Sequence, residues 1–276
     1  MSNGSPGTAW LEEETARRYK IFTEKSAMYQ ELSRFMVELA GIKPGMRVLD
    51  LGCGTGLTSQ AALDALGANG HIYAVDISDS MLAVARERLS SKQVTFLQAD
   101  GAAFADLIEP PLDRVVCNSV FWQFRNKPGV LAEIRRVLAP GGRFVFNVPE
   151  SYLIFKAIPR SPKVAVLFKQ LASERYGVGV QDLRSIEVFL NNHGFEIVAR
   201  ETFERVRTAE ESYLFMQIPV ATAWMEPPLS YTARMELLAE ARQLADPDQQ
   251  AKRRWMYFVT QPRQVRPKFL DSTGGN

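Results

Sequence analysis

The chain has 276 residues, of which 46% are hydrophobic and 23% charged, and its formal net charge is only +2. These values are ordinary for a globular protein of one domain with insertions, and the charge does not favour nucleic acid as a partner. Two cysteines and two histidines without ligand spacing predict no metal site. No apolar run is long enough to span a bilayer, and we expect a cytoplasmic protein.

Helices and strands alternate through the first half of the sequence. A helical pattern covers residues 10–40 and ends at Gly41. Strands are predicted at residues 46–51, 71–76, 94–99, 114–118 and 143–148, with helices at 57–66, 81–89 and 130–138. Strands separated by helix-length segments pair in parallel through right-handed crossovers. The pattern therefore predicts an α/β fold with a doubly wound sheet.

The alternation becomes irregular after residue 150. Helices are predicted at residues 162–177, 183–190 and 233–244, and strands at 195–201 and 254–260. The irregular stretches are rich in apolar and aromatic side chains, namely Tyr152, Phe155, Leu167, Phe168, Phe215, Met216, Trp224 and Met225. Such a surface suits a hydrophobic or aromatic small molecule, although these residues could equally pack the irregular segments onto the sheet.

The most informative segment is Val-Leu-Asp-Leu-Gly-Cys-Gly-Thr-Gly at residues 48–56, where a strand runs into a glycine-dense turn followed by a helix. Glycines allow a ligand to approach the backbone closely, and the helix N-terminus offers unpaired N–H groups. Dinucleotides and S-adenosylmethionine (SAM) both use such turns. Here the spacing is G-x-G-x-G rather than G-x-G-x-x-G, and Asp50 would repel a pyrophosphate but attract a cationic amine. Spacing and charge both favour SAM.

This segment resembles motif I of the class I SAM-dependent methyltransferases, in the form shared by small-molecule and quinone-biosynthesis enzymes. The resemblance covers residues 45–150 and, more loosely, the last strand. It implies a seven-stranded Rossmann-like sheet with a reversed last strand, SAM as cofactor and S-adenosylhomocysteine as product. It also implies a helical cap over residues 1–42 and a SAM-binding domain over 43–276, with lid insertions at about 150–181 and 208–250.

The resemblance assigns cofactor contacts mainly to residues at strand ends. Those assigned are Asp50, Gly52, Cys53, Gly54, Gly56, Asp76, Ile77, Met81, Asp100, Gly101, Ala102, Asn118 and Ser119, together with Tyr19 and Tyr29 from the N-terminal helices. Asp76 would accept hydrogen bonds from both ribose hydroxyls, and Asp100 would accept one from the adenine amino group. The alternatives are that an acid at a strand end caps the next helix, and that the tyrosines pack in the core.

Candidates for catalysis and substrate binding follow the fourth and fifth strands. Glu150 stands at the edge where α/β folds bind ligands and could accept a proton, or it could be a solvated carboxylate. Trp122, Tyr152 and Phe155 could line the substrate, or only pack. Asn118 is not followed by the N-P-P-Y type of sequence found in enzymes that methylate amines of nucleic-acid bases.

The sequence thus predicts methyl transfer from SAM to a small hydrophobic or aromatic metabolite, such as a quinol or phenol, an amine or a prenyl-type carbon. One alternative is an NAD-dependent oxidoreductase on a similar fold. The other is a non-catalytic SAM-binding scaffold. The predicted partner is a small-molecule substrate rather than nucleic acid or a membrane, and the chain is predicted to be a monomer or a homodimer.

Overall fold

The computed structural model describes residues 9–153, 183–223 and 229–263, and its centre is a seven-stranded sheet. The strands are β1 Arg47–Leu51, β2 His71–Asp76, β3 Val94–Gln98, β4 Leu112–Cys117, β5 Leu138–Pro149, β6 Phe195–Thr208 and β7 Gln250–Pro262. Their order is β3-β2-β1-β4-β5-β7-β6, and β7 runs antiparallel to both of its neighbours. The predicted doubly wound sheet with a reversed last strand is confirmed.

Helices cover both faces of this sheet. They are α1 Glu13–Lys25, α2 Met28–Ala40, α3 Leu57–Leu66, α4 Asp79–Arg88, α5 Lys127–Val137, α6 Leu183–Asn192, α7 Ala209–Met216, α8 Pro219–Thr222 and α9 Tyr231–Leu244. Single 3-10 turns lie at Ala9–Leu11, Gly67–Asn69, Ala105–Leu107, Phe121–Gln123 and Glu150–Tyr152. The helical pattern over residues 10–40 forms two helices, because Ser26 has an extended backbone (φ −125°, ψ 128°).

The hydrophobic core has one layer on each face of the sheet. On one face, Phe144, Phe146 and Phe258 pack with residues of α5 and α6. On the other face, Val145 and Tyr257 pack with residues of α2 and α3. Successive strand residues point to opposite faces, so a strand such as β5 must be apolar at consecutive positions to supply both layers. This double burial explains the nearly continuous apolar character of the strands.

Several elements extend beyond their predicted ends. β5 begins at Leu138, and its pairing with β4 shifts register where Pro140-Gly141-Gly142 intervenes, so this turn is a bulge inside the strand rather than its start. β6 and β7 continue as a long antiparallel pair to Thr208 and Gln250. The polar outer half of this pair lacks the apolar pattern from which strands were predicted.

The region after β6 is more regular than its mixed sequence indicates. α7 begins with a capping box, in which Thr208 and Glu211 exchange side-chain and backbone hydrogen bonds. α1 packs against α4, α7 and α8, and the rings of Phe22 and Phe215 lie 5.5 Å apart. The N-terminal helices therefore contact the segment that follows β6. The predicted helix at 162–177 falls outside the described residues, as do Phe155, Leu167, Phe168, Trp224 and Met225.

Candidate cofactor and substrate site

The glycine turn after β1 has one face closed and one face open. Gly52 and Cys53 donate their backbone N–H groups to the carbonyl of Val75, at 2.8 and 3.0 Å, which fixes the turn against β2. Gly54 has a φ of +52°, and apart from its chain neighbours no atom of the described residues lies within 4 Å of the place where its Cβ would be. The side of the turn at Gly54 is therefore free for a ligand to approach the backbone closely.

Asp50 is a buried carboxylate that the protein satisfies only in part. Asp50 lies one residue before the end of β1 and is 1% exposed. Ser59 donates a hydrogen bond from Oγ to Oδ2 of Asp50 at 2.7 Å, whereas Oδ1 is buried and has no hydrogen-bond partner among the described residues. Burial raises the pKa of Asp50 to about 7, although the bond from Ser59 opposes the shift. A buried oxygen without a donor is costly, and a ligand cation with N–H groups would supply what it lacks.

Asp76 ties the glycine turn to the start of α4. Its Oδ2 accepts a hydrogen bond from the backbone N–H of Gly54 at 2.8 Å, and its Oδ1 accepts one from Ser78 at 2.9 Å. Burial raises the pKa of Asp76, and these backbone bonds oppose the increase. Ser78 caps the N-terminus of α4, because its side chain accepts a hydrogen bond from the N–H of Met81. Each carboxylate oxygen can still accept a further bond, so a role toward ribose remains a prediction.

The residues predicted to surround adenine differ in exposure. Ile77 is 48% exposed and offers a free apolar surface beside Asp76, whereas Met81 is only 2% exposed. Asp100 is exposed, and its Oδ1 accepts a hydrogen bond from the N–H of Ala102 at 2.8 Å. Gly101 is buried, and a Cβ there would lie 2.5 Å from the ring of Phe124. Ile77 and Asp100 are thus accessible to a ligand, while Met81 and Gly101 are enclosed by protein.

A network of polar side chains links the ends of β4 and β5 to helices α2 and α3. Asn118 donates from Nδ2 to Ser33 and Thr58, at 3.2 and 3.1 Å, and its Oδ1 accepts from Asn147 at 2.9 Å. Ser119 adopts a φ of +63°, and its N–H donates to Oδ1 of Asn147 at 2.6 Å. The amide of Asn118 is therefore already bonded within the protein. Asn147 was not predicted from the sequence, although a lone asparagine within an apolar strand is a usable signal.

The N-terminal helices contribute two adjacent tyrosines, Tyr19 and Tyr29. The rings of Tyr19 and Tyr29 lie 5.2 Å apart. Burial raises the pKa of both hydroxyls, and the nearby Asp76 carboxylate adds to the increase at Tyr19. Tyr19 therefore lies within electrostatic reach of the residue predicted to bind ribose.

The predicted substrate and catalytic residues are only partly brought together. The rings of Trp122 and Tyr152 lie 5.3 Å apart, and Tyr152 is 52% exposed. The carboxylate of Glu150 forms an ion pair with Nε of Arg254 at 2.8 Å. Trp122 and Tyr152 thus form an aromatic wall after β4 and β5, whereas Glu150 is directed toward β7.

Two comparisons with known proteins identify the family of this chain. Residues 42–178, about half of the chain, match the family model described as a methyltransferase domain. The ubiquinone/menaquinone biosynthesis C-methyltransferase UbiE of Teredinibacter turnerae is 33% identical over 154 residues, which cover 51% of this chain and 60% of that relative. The chain belongs to the class I SAM-dependent methyltransferases. The alignment nevertheless spans only 60% of the length of that relative, which is less than two thirds.

Solved structures show how widely the fold is shared. A SAM-dependent methyltransferase from Geobacter sulfurreducens, solved with S-adenosylhomocysteine, is 19% identical with a TM-score of 0.53, covering 84% of this chain and 91% of that one. The [4+2]-cyclase SpnF is also 19% identical, with a TM-score of 0.54, covering 85% of this chain and 81% of that one. At this identity the likeness concerns the fold alone, and the site must decide the chemistry.

Metal-binding clusters and membrane-spanning helices are both absent from the described residues. Within 9–153, 183–223 and 229–263, no three His, Cys, Asp or Glu side chains are grouped so that they could hold a metal ion. In the same ranges, no helix combines the length and the apolar character needed to cross a bilayer.

Proposed function

We propose that this chain binds SAM and transfers its methyl group to a small hydrophobic or aromatic metabolite. The observation that carries the proposal is the buried, half-satisfied carboxylate of Asp50 beside the open backbone of Gly54. A carboxylate in that setting favours a ligand with a cationic amine, and an open glycine turn at a helix N-terminus favours close contact with backbone N–H groups.

The residues present suit the parts of SAM. Asp50 would bind the methionyl amine, Asp76 the ribose hydroxyls, and Ile77 and Asp100 the adenine ring and its amino group. Tyr19 would cover the ribose from above. Bound SAM supplies an electrophilic methyl group, and the protein contributes positioning and the exclusion of water.

The residues after β4 and β5 would act on the methyl acceptor. Trp122 and Tyr152 would hold a flat apolar substrate against their rings, because they already lie side by side. Glu150 would accept a proton from the nucleophile, and its ion pair with Arg254 would hold the carboxylate in place in the free protein. The segments at about 150–181 and 208–250 would form the lid over this side of the site.

A quinol-like or phenol-like ring is the substrate class that we favour. The aromatic wall supports this choice, as does the similarity to UbiE, which is named as a C-methyltransferase of quinone biosynthesis. An amine acceptor would gain less from these apolar contacts.

The proposal is tested in two steps. Calorimetry should detect S-adenosylhomocysteine at micromolar affinity, about −8 kcal/mol, and no binding of NAD. Turnover is then measured by mass spectrometry with SAM and a panel of phenols, quinols, amines and prenyl compounds. Binding of NAD alone would return the chain to the oxidoreductases, and cofactor binding without turnover on any panel member would favour a scaffold.

A further inference from the structure

Arg207 is a partly buried arginine near the end of β6 that the sequence did not single out. Its guanidinium carbon lies 4.4 Å from the centre of the Phe215 ring. Nη2 donates a long hydrogen bond of 3.4 Å to the carbonyl of Glu211, and Nε is buried with no acceptor in the part of the chain that the structure describes. Part of this guanidinium is therefore removed from water without a replacement acceptor, which is costly for a charged group.

No carboxylate among the described residues compensates the charge of Arg207 at ion-pair distance. The nearby Glu211 is committed elsewhere, because its carboxylate pairs with Arg205 at 3.0 Å and accepts a hydrogen bond from Ser26 at 2.6 Å. Burial lowers the pKa of Arg207 to about 10, with Tyr29 as the largest opposing influence. Arg207 is therefore still protonated at neutral pH and carries an uncompensated positive charge.

A series of aromatic side chains connects Arg207 to the cofactor side of the site. The rings of Phe22 and Phe215 lie 5.5 Å apart, and those of Phe22 and Tyr29 lie 5.9 Å apart. The hydroxyl of Tyr29 is within electrostatic reach of both Arg207 and Tyr152, and it interacts with Tyr19, which in turn senses Asp76. Arg207 is thus linked to the proposed cofactor and substrate residues through a set of packed aromatic rings.

We propose that Arg207, assisted by Tyr29, binds a carboxylate on the methyl-accepting substrate, which makes that substrate a hydrophobic or aromatic acid. The inference rests on the function proposed above and narrows its substrate class. A planar guanidinium binds a carboxylate through two parallel N–H bonds, and the unpartnered Nε provides one of them.

A singly charged carboxylate fits better than a phosphate. Of the three neighbouring arginines that the structure describes, Arg205, Arg207 and Arg253, Arg207 alone is partly buried and without an ion pair. Arg205 is paired with Glu31 and Glu211, and Arg253 is exposed. The covering ring of Phe215 further favours a flat, apolar group behind the acid.

The test compares an acid with its neutral isostere. 2-Naphthoate and 2-naphthamide are titrated into the full chain saturated with S-adenosylhomocysteine, and binding is followed by calorimetry. We expect the acid to bind at least tenfold more tightly than the amide. Arg207→Gln should abolish this preference, and Arg207→Lys, which keeps the charge but loses the planar fork, should keep only part of it. Arg253→Gln is the matched control, since it removes the same charge from an exposed neighbour and should leave the preference within twofold.

The outcomes separate this inference from the proposed function. Equal binding of acid and amide, no binding of the acid at millimolar concentration, or an equal loss in Arg253→Gln and Arg207→Gln would each overturn the carboxylate site. If the wild-type chain does not bind S-adenosylhomocysteine, the proposed function fails instead. The acid and amide are then compared without it, and a preference that depends on Arg207 would still support the anion site.

Discussion

Gly52 lies so close to Val120 that a Cβ on the glycine would be 2.8 Å from Cγ1 of the valine. Val120 follows β4, so the turn after β1 and the end of β4 meet without room for a methyl group. Gly54, two residues along the same turn, has open space at the corresponding position. The two glycines therefore serve different purposes, since Gly52 permits packing and Gly54 leaves space for a ligand.

The first prediction separates these two glycines. Gly52→Ala should lower the free energy of unfolding by about 1–3 kcal/mol through overpacking, with about 1–2 kcal/mol more from its positive φ. Gly54→Ala should lower the free energy of unfolding only by the cost of its positive φ, because no overpacking occurs there. It should weaken S-adenosylhomocysteine binding at least tenfold, because the methyl group fills the open space. Urea unfolding and calorimetry measure both quantities. Adding Val120→Ala to Gly52→Ala should recover the overpacking cost. Equal stability losses in the two glycine variants would contradict this account.

The second prediction couples cofactor binding to the ionisation of Asp50. Its pKa is raised to about 7, so at lower pH the carboxyl must lose a proton before it can pair with an amine. Affinity for S-adenosylhomocysteine should therefore rise with pH up to about 7, by at most tenfold per unit or about 1.4 kcal/mol, and then level off. Calorimetry near pH 6 in buffers of different ionisation enthalpy should detect released protons. Asp50→Asn should bind weakly with a flat profile, whereas a flat profile in the wild type would remove Asp50 from the amine site.

The raised pKa of Asp50 also affects the stability of the free protein. Here raising the pH is unfavourable, whereas it favours cofactor binding. An acid whose pKa is higher in the folded state contributes its full stability below its unfolded pKa and loses it as pH rises through the folded value. For Asp50 this window runs from the ordinary value of 3.8 to about 7. Relative to wild type, Asp50→Asn should therefore be more stable above this window than at its acidic end, as measured by urea unfolding.

The third prediction concerns the two roles of Asp76. Asp76→Ala leaves the N–H groups of Gly54 and Ser78 without their acceptor, at about 1–3 kcal/mol each when the donor is buried. It should also weaken S-adenosylhomocysteine binding at least tenfold. Ser78→Ala is the control, because it removes the cap of α4, worth about 0.5–2 kcal/mol, and a hydrogen bond with Ser80 but keeps the Asp76 carboxylate, so it should leave affinity unchanged. If Asp76→Ala loses stability but keeps its affinity, the carboxylate serves the turn alone.

The fourth prediction tests Glu150 as a proton acceptor. Glu150→Gln keeps the shape of the side chain but cannot accept the proton, so turnover should fall by about 10²–10⁴ while affinity for S-adenosylhomocysteine changes less than twofold. Arg254→Gln removes the ion-pair partner and should leave turnover the same or higher, because the carboxylate is then free to contact the substrate. Turnover of Glu150→Gln within a few-fold of wild type would assign catalysis to positioning alone.

Much of the fold could be predicted from the sequence because its signals are local. Consecutive apolar residues mark strands buried on both faces, and the turn at residues 52–56 follows from glycine spacing. The carboxylates at residues 50, 76 and 100 could be assigned to one edge, since the C-terminal ends of parallel strands meet there. The predicted strands were too short where the apolar pattern is weak. The polar outer half of the β6–β7 pair was therefore not predicted as strand.

The sequence by itself determined the doubly wound sheet and the strand ends that carry the acids, while the reversed last strand followed from the family resemblance. Only the tertiary structure decided how each polar group is satisfied, because hydrogen bonds and burial depend on neighbours far apart in the chain. Among the described residues, one carboxylate oxygen of Asp50 has no hydrogen-bond partner. Asp76 accepts a hydrogen bond from the glycine turn, and Glu150 forms an ion pair with Arg254. The tertiary structure also placed Arg207 beside Phe215 without a counter-ion among the described residues, a relationship that no local pattern encodes.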